Sequence, residues 1–308
     1  MLQSLRVFCL VAQHGSFTQA ALAAGLTRPA VSRHIQVLES HFGVRLFTRT
    51  TRRVALTPAG QRLLEHANRV LAAYRELEAA LAALRGEGRR VLVIGASTVP
   101  GERLLPRYLA ALRQWAPDLE VQVRVANTET VLRWVRDGAV DLGLVGVGVD
   151  DPLLAARPIA EDEVVLVRPP EMPLPPALEV RELRQLPLIL REPGSATRQT
   201  VLAALARVGL TPEDLRVVAE LGSPEAIKAA VRSGVGCAFF SRWSLAPGEL
   251  PVVRLIGVDL RRSISACWRR DRPLPEGAVV LLARLGAAAE GRGGEQPPRP
   301  SGPEVLGV

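Results

Sequence analysis

The chain has 308 residues, 48% of them hydrophobic, and a formal net charge of +8. That length suggests about two domains, and no apolar run approaches the ~20 residues that a membrane span needs. Three cysteines, Cys9, Cys237 and Cys267, are odd in number and lack Cys-x-x-Cys spacing, which argues against a disulfide framework or a zinc site.

The start, Met1-Leu2-Gln3-Ser4-Leu5-Arg6, is not a basic patch followed by an apolar core and a cleavage site, so a cytoplasmic chain is expected. Residues 1–60 hold seven arginines (Arg6, Arg28, Arg33, Arg45, Arg49, Arg52, Arg53) against one acid, Glu39. The positive field therefore lies at one end, as binding to a polyanion requires. Leu5, Phe8, Leu10, Val11 and Ala12 predict a helix over 2–13, stopped by Gly15. Ser16 and Gln19 read as a capping box for a short helix through Ala20–Ala23 that Gly25 breaks. Thr27 caps the next helix, over 28–41, with Pro29 in its first turn.

In that helix Ala30, Val31, Ile35 and Leu38 face a core, while Arg28, Ser32, Arg33 and Gln36 fall on the other side. Two short helices with a tight glycine turn, the second polar outside, predict a helix-turn-helix whose second helix enters the major groove. The residues expected to meet DNA there are Thr27, Arg28, Pro29, Ser32, Arg33 and Gln36. The stretch 44–56 alternates about Thr50-Thr51-Arg52 and predicts a β-hairpin wing, with Arg49, Arg52 and Arg53 suited to phosphates or a narrow minor groove.

Thr57 and Pro58 open a helix that runs to about residue 85. Leu63, Ala67, Val70, Tyr74, Leu77, Leu81 and Leu84 step by 4, 3, 4, 3, 4, 3, a heptad seam that predicts dimerisation through a coiled coil. A dimer carries two recognition helices, so the operator should be dyad-symmetric double-stranded DNA. Gly86-Glu87-Gly88 marks a hinge.

Beyond it, strands are predicted at 91–96, 120–125, 140–147, 163–168, 188–191, 216–220, 236–240, 252–256 and 264–268. Helices are predicted at 101–115, 129–137, 197–208, 224–233 and 277–290, giving α/β layers with largely parallel sheets. Ligands of such sheets bind beyond the carboxyl ends of strands, where helix N-termini favour anions. The junctions there supply Ser97, Thr98 and Val99; Asn127 and Thr128; Ser195, Thr197 and Arg198; and Gly222 and Ser223, a set suited to a carboxylate or a sulfur-containing anion. Each hydroxyl among them can equally be an ordinary helix cap. Residues 291–308 are Gly/Pro-rich and read as a disordered tail.

The four histidines (His14, His34, His41, His66) all precede the α/β part, and no Gly-x-Ser-x-Gly, Walker loop or His-Glu-x-x-His occurs, so neither an enzyme, a metal site nor a cofactor is expected. An effector-independent architectural DNA-binding protein stays open as the alternative.

The phrases Gly15-Ser16-Phe17-Thr18-Gln19-Ala20-Ala21, Leu26-Thr27-Arg28-Pro29-Ala30-Val31-Ser32-Arg33-His34-Ile35-Gln36-Val37-Leu38-Glu39, Leu46-Phe47-Thr48-Arg49 and Leu56-Thr57-Pro58-Ala59-Gly60 resemble the LysR-type transcriptional regulators. The family often has glutamine where Arg28 stands, a change that bears on the operator sequence. The resemblance implies a winged helix-turn-helix at 1–58, a linker helix at 59–88 and an effector-binding domain at 89–290. The last is expected to be two-lobed, like type 2 periplasmic binding proteins, with lobe one at 89–160 and 267–290 and lobe two at 161–266. It also implies a homodimer assembling to a homotetramer, with RNA polymerase as a further candidate partner. The phrases around Ser97, Ser195 and Ser223 are most similar to the branch that includes regulators of cysteine and sulfur metabolism, with Ala196 where that branch usually has glycine.

Overall fold

The computed structural model describes residues 1–49, 54–84 and 90–289. The chain divides into two compact units, one made chiefly of Met1–Arg90 and one from Val91 onward. The predicted hinge at 86–88, the tail, and Arg52 and Arg53 lie outside the described residues.

In the first unit α1 (Leu2–His14) ends at Gly15, whose φ of 58° is one that few other residues adopt readily. Ser16 caps α2 (Phe17–Ala24) by accepting from the Gln19 amide at 3.3 Å, and Thr27 caps α3 (Arg28–Phe42) by accepting from Ala30 at 3.4 Å. The buried faces of these helices meet in a core of Phe8, Val11, Ala20, Val31, Ile35 and Leu38. The wing is the antiparallel pair β1 (Phe47–Arg49) and β2 (Val54–Leu56). Phe47 anchors it, its ring 5.3 Å from that of Phe8 and 5.8 Å from that of Phe17.

The long helix α4 (Pro58–Leu84) has 27 residues, roughly 40 Å at 1.5 Å per residue. Thr57 fixes its start: the hydroxyl accepts from Gly60 at 3.0 Å and donates to the Arg45 carbonyl at 2.7 Å. A Cβ at residue 60 would lie 2.1 Å from the Leu46 carbonyl oxygen, so only glycine permits this approach.

The heptad seam is divided in use. Leu63, Leu64, Ala67 and Leu71 pack on the core of the first unit, which removes Leu63 and Ala67 from the surface expected for pairing. The physical reason is that a second stripe, at 64, 67 and 71, overlaps the first at its N-terminal end and turns it inward. Further along, Val70, Leu77 and Leu81 are exposed, and Tyr74 lies under the Arg6 guanidinium at 5.9 Å. The side chain of Leu84 is outside the described ones.

The second unit alternates strands and helices: β3 (Arg90–Ser97), a π-turn at Pro100–Leu104, α5 (Leu105–Trp115), β4 (Leu119–Ala126), α6 (Thr128–Arg136), β5 (Leu142–Val145), β6 (Leu154–Val167), β7 (Ala177–Glu179), β8 (Leu188–Arg191), α7 (Ala196–Arg207), β9 (Val217–Leu221), α8 (Pro224–Arg232), β10 (Cys237–Ser241), β11 (Val252–Ile256), β12 (Arg261–Arg269) and α9 (Glu276–Ala289). The strand order is β4-β3-β5-β12-β6-β10-β8-β9, with β11 on β6 and β7 on β11.

Period-two alternation explains the layers. In β3, Leu92, Ile94 and Ala96 face Leu105, Leu112, Leu281 and Leu285 of α5 and α9, while Val93 faces Val131 and Val135 of α6. The second lobe repeats the scheme: Val164, Leu166 and Leu188 meet Val201 and Leu205 of α7, and Val165, Val167 and Ile189 meet Ile227 and Val231 of α8.

Strands β3 and β5 are parallel, as are β8 with β9 and with β10, in line with the expected parallel layers. The centre differs. β6 has 14 residues and runs antiparallel to the whole of β12, whereas the sequence predicted only its second half. The first half carries Pro158, which reads against a strand. The fold accommodates it at a register shift between Ile264 and Ser265, where the ladder is irregular and a missing amide matters least. β7, three residues long, is too short to leave a pattern.

Cys237 and Cys267 are buried and free. Burial pushes the Cys237 thiol up to about 11, with Arg168 opposing, and the Cys267 thiol up to about 12. A thiol with a raised value stays protonated until the pH approaches that value. Native protein at pH 8 is therefore expected to leave both residues unlabelled by maleimide, and labelling should follow denaturation; mass spectrometry of the digested protein checks it.

Candidate functional site

The first candidate surface lies on α3. Val31, Ile35 and Leu38 hold it to the core, so Arg28, Pro29, Arg33 and Gln36 stand exposed on the opposite side, with Ser32 half-buried between. Thr27 is exposed, but its hydroxyl is engaged as the cap of α3. The arginines of this unit are not equivalent. Arg45 pairs with Glu39 at 3.3 Å, and Arg6 lies 3.9 Å from Glu78 and over Tyr74. Arg28 and Arg33 have no ion-pair partner among the described residues, so their charges remain open to an incoming polyanion. Arg49 closes β1, and its side chain is outside the described ones.

The second candidate is a cleft in the α/β unit, about 250 Å³ including its solvent-open mouth. One wall comes from the first lobe: Ser97, Thr98 and Val99 at the end of β3, Asn127 and Thr128 at the start of α6, and Gly146 beyond β5. The other comes from the second lobe: Arg191 at the end of β8 and Ser195, Ala196 and Thr197 at the start of α7. Arg262 of β12 completes it. Seven residues expected from the sequence thus line one cavity: Ser97, Thr98, Val99, Asn127, Thr128, Ser195 and Thr197.

Three expected residues do not line it. Arg198 donates through Nη1 to the Arg191 carbonyl at 2.9 Å and to Glu220, which hold it away from the cavity lining. Ser223 caps α8, accepting from Ala226 at 3.4 Å, and Gly222 precedes it outside the lining. The hydroxyl pattern was the same at all these junctions; only the fold decides which turn toward the cleft.

Arg191, Gly146, Ala196 and Arg262 were not expected. Arg191 is neutralised side-on by Glu192, with Nε–Oε2 at 2.8 Å and Nη2–Oε1 at 3.0 Å. Arg262 is held by Asp162, its direct cross-strand partner on β6, with Nε–Oδ2 at 2.8 Å; the Ser241 hydroxyl donates to the other carboxylate oxygen at 2.8 Å. Nη1 of Arg262 donates to Thr197 at 3.3 Å. Burial pulls the Arg262 value down and nearby Arg191 adds to this, while Asp162 opposes both.

The rim is tied across the lobes. The Asn127 amide donates to the Pro193 carbonyl at 3.2 Å, and the Glu129 backbone amide donates to Gly194 at 3.2 Å. Gly194 has φ +83°, and a Cβ there would fall 2.7 Å from a Glu129 carboxylate oxygen. The first amides of α7 have no partner within the helix, and the Ser195 side chain does not cap them. The uncapped start of α7 and the hydroxyls give the cleft donors suited to an anion, while its two buried guanidinium groups are each paired with a carboxylate. Among the described residues no cluster of potential metal ligands occurs.

Both parts of the chain match known families. Residues 2–61 match the model described as bacterial regulatory helix-turn-helix protein, lysR family, and residues 85–290 match the LysR substrate binding domain. An uncharacterized HTH-type transcriptional regulator of Mycobacterium tuberculosis is 38% identical over 293 residues, covering 90% of this chain and 93% of the relative. The solved structure of CbnR, a LysR family transcriptional regulator, has the same fold (TM-score 0.64, 21% identity, 94% of this chain and 99% of that one). The regulatory domain of Synechocystis PCC6803 CcmR, solved in complex with 2-PG, matches with TM-score 0.59 at 25% identity, over 66% of this chain and 98% of that one.

Proposed function

The chain belongs to the LysR family of DNA-binding transcriptional regulators with an effector-binding domain, and from that premise we propose that it binds a dyad-symmetric operator as a dimer and responds to a small anion in the cleft. The observation that carries the reading is the pairing, in one chain, of an exposed α3 face, whose Arg28 and Arg33 have no ion-pair partner among the described residues, with a separate cleft at the carboxyl ends of strands. DNA contact is assigned to Arg28, Ser32, Arg33 and Gln36 in the major groove, with Arg49, Arg52 and Arg53 of the wing on the backbone or minor groove. The DNA-binding domain is taken as 1–58, the linker as 59–88 and the effector domain as 89–290. Between the lobes, the crossings are read at about 160–163 on β6 and 261–264 on β12, so Ile264 and Ala266, expected in lobe two, go to lobe one. Ile159, Ile264 and Ala266 pack in the first lobe's core, and Val164 and Leu260 in the second's.

The 2-PG carried by the CcmR domain is the first effector to try. Sulfate and other sulfur oxyanions, suggested by the likeness to sulfur-metabolism regulators, form the rival arm. Assembly to a homotetramer, recruitment of RNA polymerase and a cytoplasmic location belong to the same reading; among the described residues no helix is long and apolar enough to cross a membrane.

The test is operator binding by fluorescence anisotropy, with and without each anion, using DNA from upstream of the neighbouring genes. A shift in affinity or footprint supports the reading. Operator binding that no small molecule alters favours the effector-independent alternative. Arg33→Ala is expected to weaken operator binding by about 1–3 kcal/mol if it reads a base, or to flatten the salt dependence if it meets phosphate. Leu77→Asp places a charge in the middle of the exposed part of the seam, where Leu77 is 54% accessible, and is expected to shift the protein toward monomer in sedimentation velocity.

A further inference from the structure

Ser4 is out of character with its surroundings. Leu5, Val7, Phe8 and Val11 form the buried apolar face of α1, and Ser4 is buried with them at 4% exposed. A buried hydroxyl costs stability unless it is bonded. Its partner is Nδ1 of His34 on α3, 3.0 Å away. His34 is half-buried. At 3.6 residues per turn it falls on the flank of α3, between the buried Val31 and Leu38 and the exposed Val37. No second partner of the Ser4 hydroxyl occurs among the described residues.

If Nδ1 were the donor, the serine proton would be left unbonded in the interior. The arrangement that satisfies both groups has the hydroxyl donating and His34 in the Nε2–H tautomer. The other side chains that seat α3 on the core of this unit are apolar: Val31, Ile35 and Leu38. Apolar contact is non-directional and fixes the angle of a helix about its own axis only loosely. A hydrogen bond is directional. Two residues along α1 from Ser4, Arg6 lies over the Tyr74 ring at 5.9 Å and 3.9 Å from Glu78, both on α4. Neighbouring residues of α1 thus make polar contacts with α3 on one side and with the long helix on the other.

We propose that Ser4 and His34 are positioning residues of operator recognition: the Ser4 hydroxyl, donating to Nδ1, holds the imidazole and with it the roll of α3, which sets the angle at which Arg28, Arg33 and Gln36 meet the bases. This rests on the reading of the exposed α3 face as the DNA contact, and adds to it a residue pair that stands behind that face. Ser4 is buried and His34 is bonded to it, so neither is assigned a contact with DNA. Hydrogen bonds to base edges need aligned donors, whereas attraction to phosphate falls off slowly with distance. Loosening the pair therefore costs sequence discrimination more than overall attraction to DNA.

The experiment uses full-length protein and fluorescence anisotropy with two probes, the operator duplex footprinted upstream of the neighbouring genes and a scrambled duplex of the same length. Ser4→Ala removes the donor and suits a helix better than serine does. His34→Gln sets its amide where Nε2 stood, and His34→Asn sets its carbonyl oxygen where Nδ1 stood. Ser4→Ala and His34→Gln are each expected to weaken operator binding roughly 3–10-fold, the range that one neutral hydrogen bond spans. Affinity for the scrambled duplex, which phosphate charge sets, should not change. His34→Asn should stay close to wild type on both duplexes. Ser4→Ala combined with His34→Gln should be no weaker than the worse single variant, since both remove the same bond. Wild-type operator affinity in Ser4→Ala overturns the inference. So does an equal loss in His34→Asn and His34→Gln, which would put the imidazole itself on DNA or in the packing. A loss in Ser4→Ala that is equal on both duplexes also overturns it, because damage to the fold at large accounts for that pattern. Arg33→Ala judges the broader reading. Operator binding lost there and undisturbed in Ser4→Ala keeps α3 on DNA and removes this account of its positioning; operator binding that Arg33→Ala leaves intact removes both.

Discussion

Asp162→Ala is expected to lower the unfolding midpoint of the α/β unit by about 6–20 °C. The substitution removes the counter-charge of a guanidinium that is 4% exposed, across from it on the facing strand. Breaking a buried pair on one side costs about 3–5 kcal/mol, because the charge left behind has neither water nor partner. In a domain of this size each kcal/mol moves the midpoint by roughly 2–4 °C. The Ser241 hydroxyl loses its acceptor as well. The double variant Asp162→Asn with Arg262→Gln removes both charges and keeps polar contacts, so it should recover most of the loss. Differential scanning calorimetry of the three proteins decides the matter. A midpoint for Asp162→Ala within a degree or so of wild type would mean that the guanidinium finds solvent easily, and the cleft would then be wetter than its packing indicates.

Phe8→Ala is the second large effect. Phe8 is completely buried, stacked at a tilt against Phe47 of the wing, and central to a core shared by α1, α2 and α3. Such a truncation costs about 3–5 kcal/mol through lost burial and the cavity left behind. A unit of this size has little to spare, since small domains bury a smaller share of their surface. Operator binding should be lost at 37 °C although no DNA-facing residue is touched, while the α/β unit keeps its own calorimetric transition. Phe8→Leu, which leaves a smaller void, should keep part of the binding. Full operator affinity in Phe8→Ala would show that the α3 face survives without this core.

Local signals carried much of this in the sequence. Ser16, Thr27 and Thr57 are caps whose chemistry acts within four residues, so their helices start where the residues say. The strand-to-helix junctions of the α/β part were equally legible, and with them Ser97, Thr128, Ser195 and Thr197. What escaped depends on distant partners. Arg262 is one of two adjacent arginines at the head of a strand, and nothing near it in the chain mentions Asp162, a hundred residues earlier. Arg198 sits in the right phrase, yet Glu220 holds it elsewhere. Pro158 disguised half of a central strand, because the irregular register that tolerates it belongs to the partner strand. The heptads were visible, but a second apolar stripe on the same helix decides that Leu63 serves the core and Leu77 does not.

The joint at Gly60 governs how the head handles mechanical input. The Leu46 carbonyl receives the Thr57 amide at 3.0 Å and fills the space where a residue-60 side chain would stand. Thr57 bonds the neighbouring Arg45 carbonyl on the same side. The wing's base and the first turn of the long helix are thereby joined by a backbone hydrogen bond, the Thr57 hydroxyl and the close approach at Gly60. Rotation of that helix's first turn would carry the base of the wing with it, like a crank on its shaft. Two such shafts lying side by side would convert a small roll of one against the other into a change in the stride between their wings on DNA.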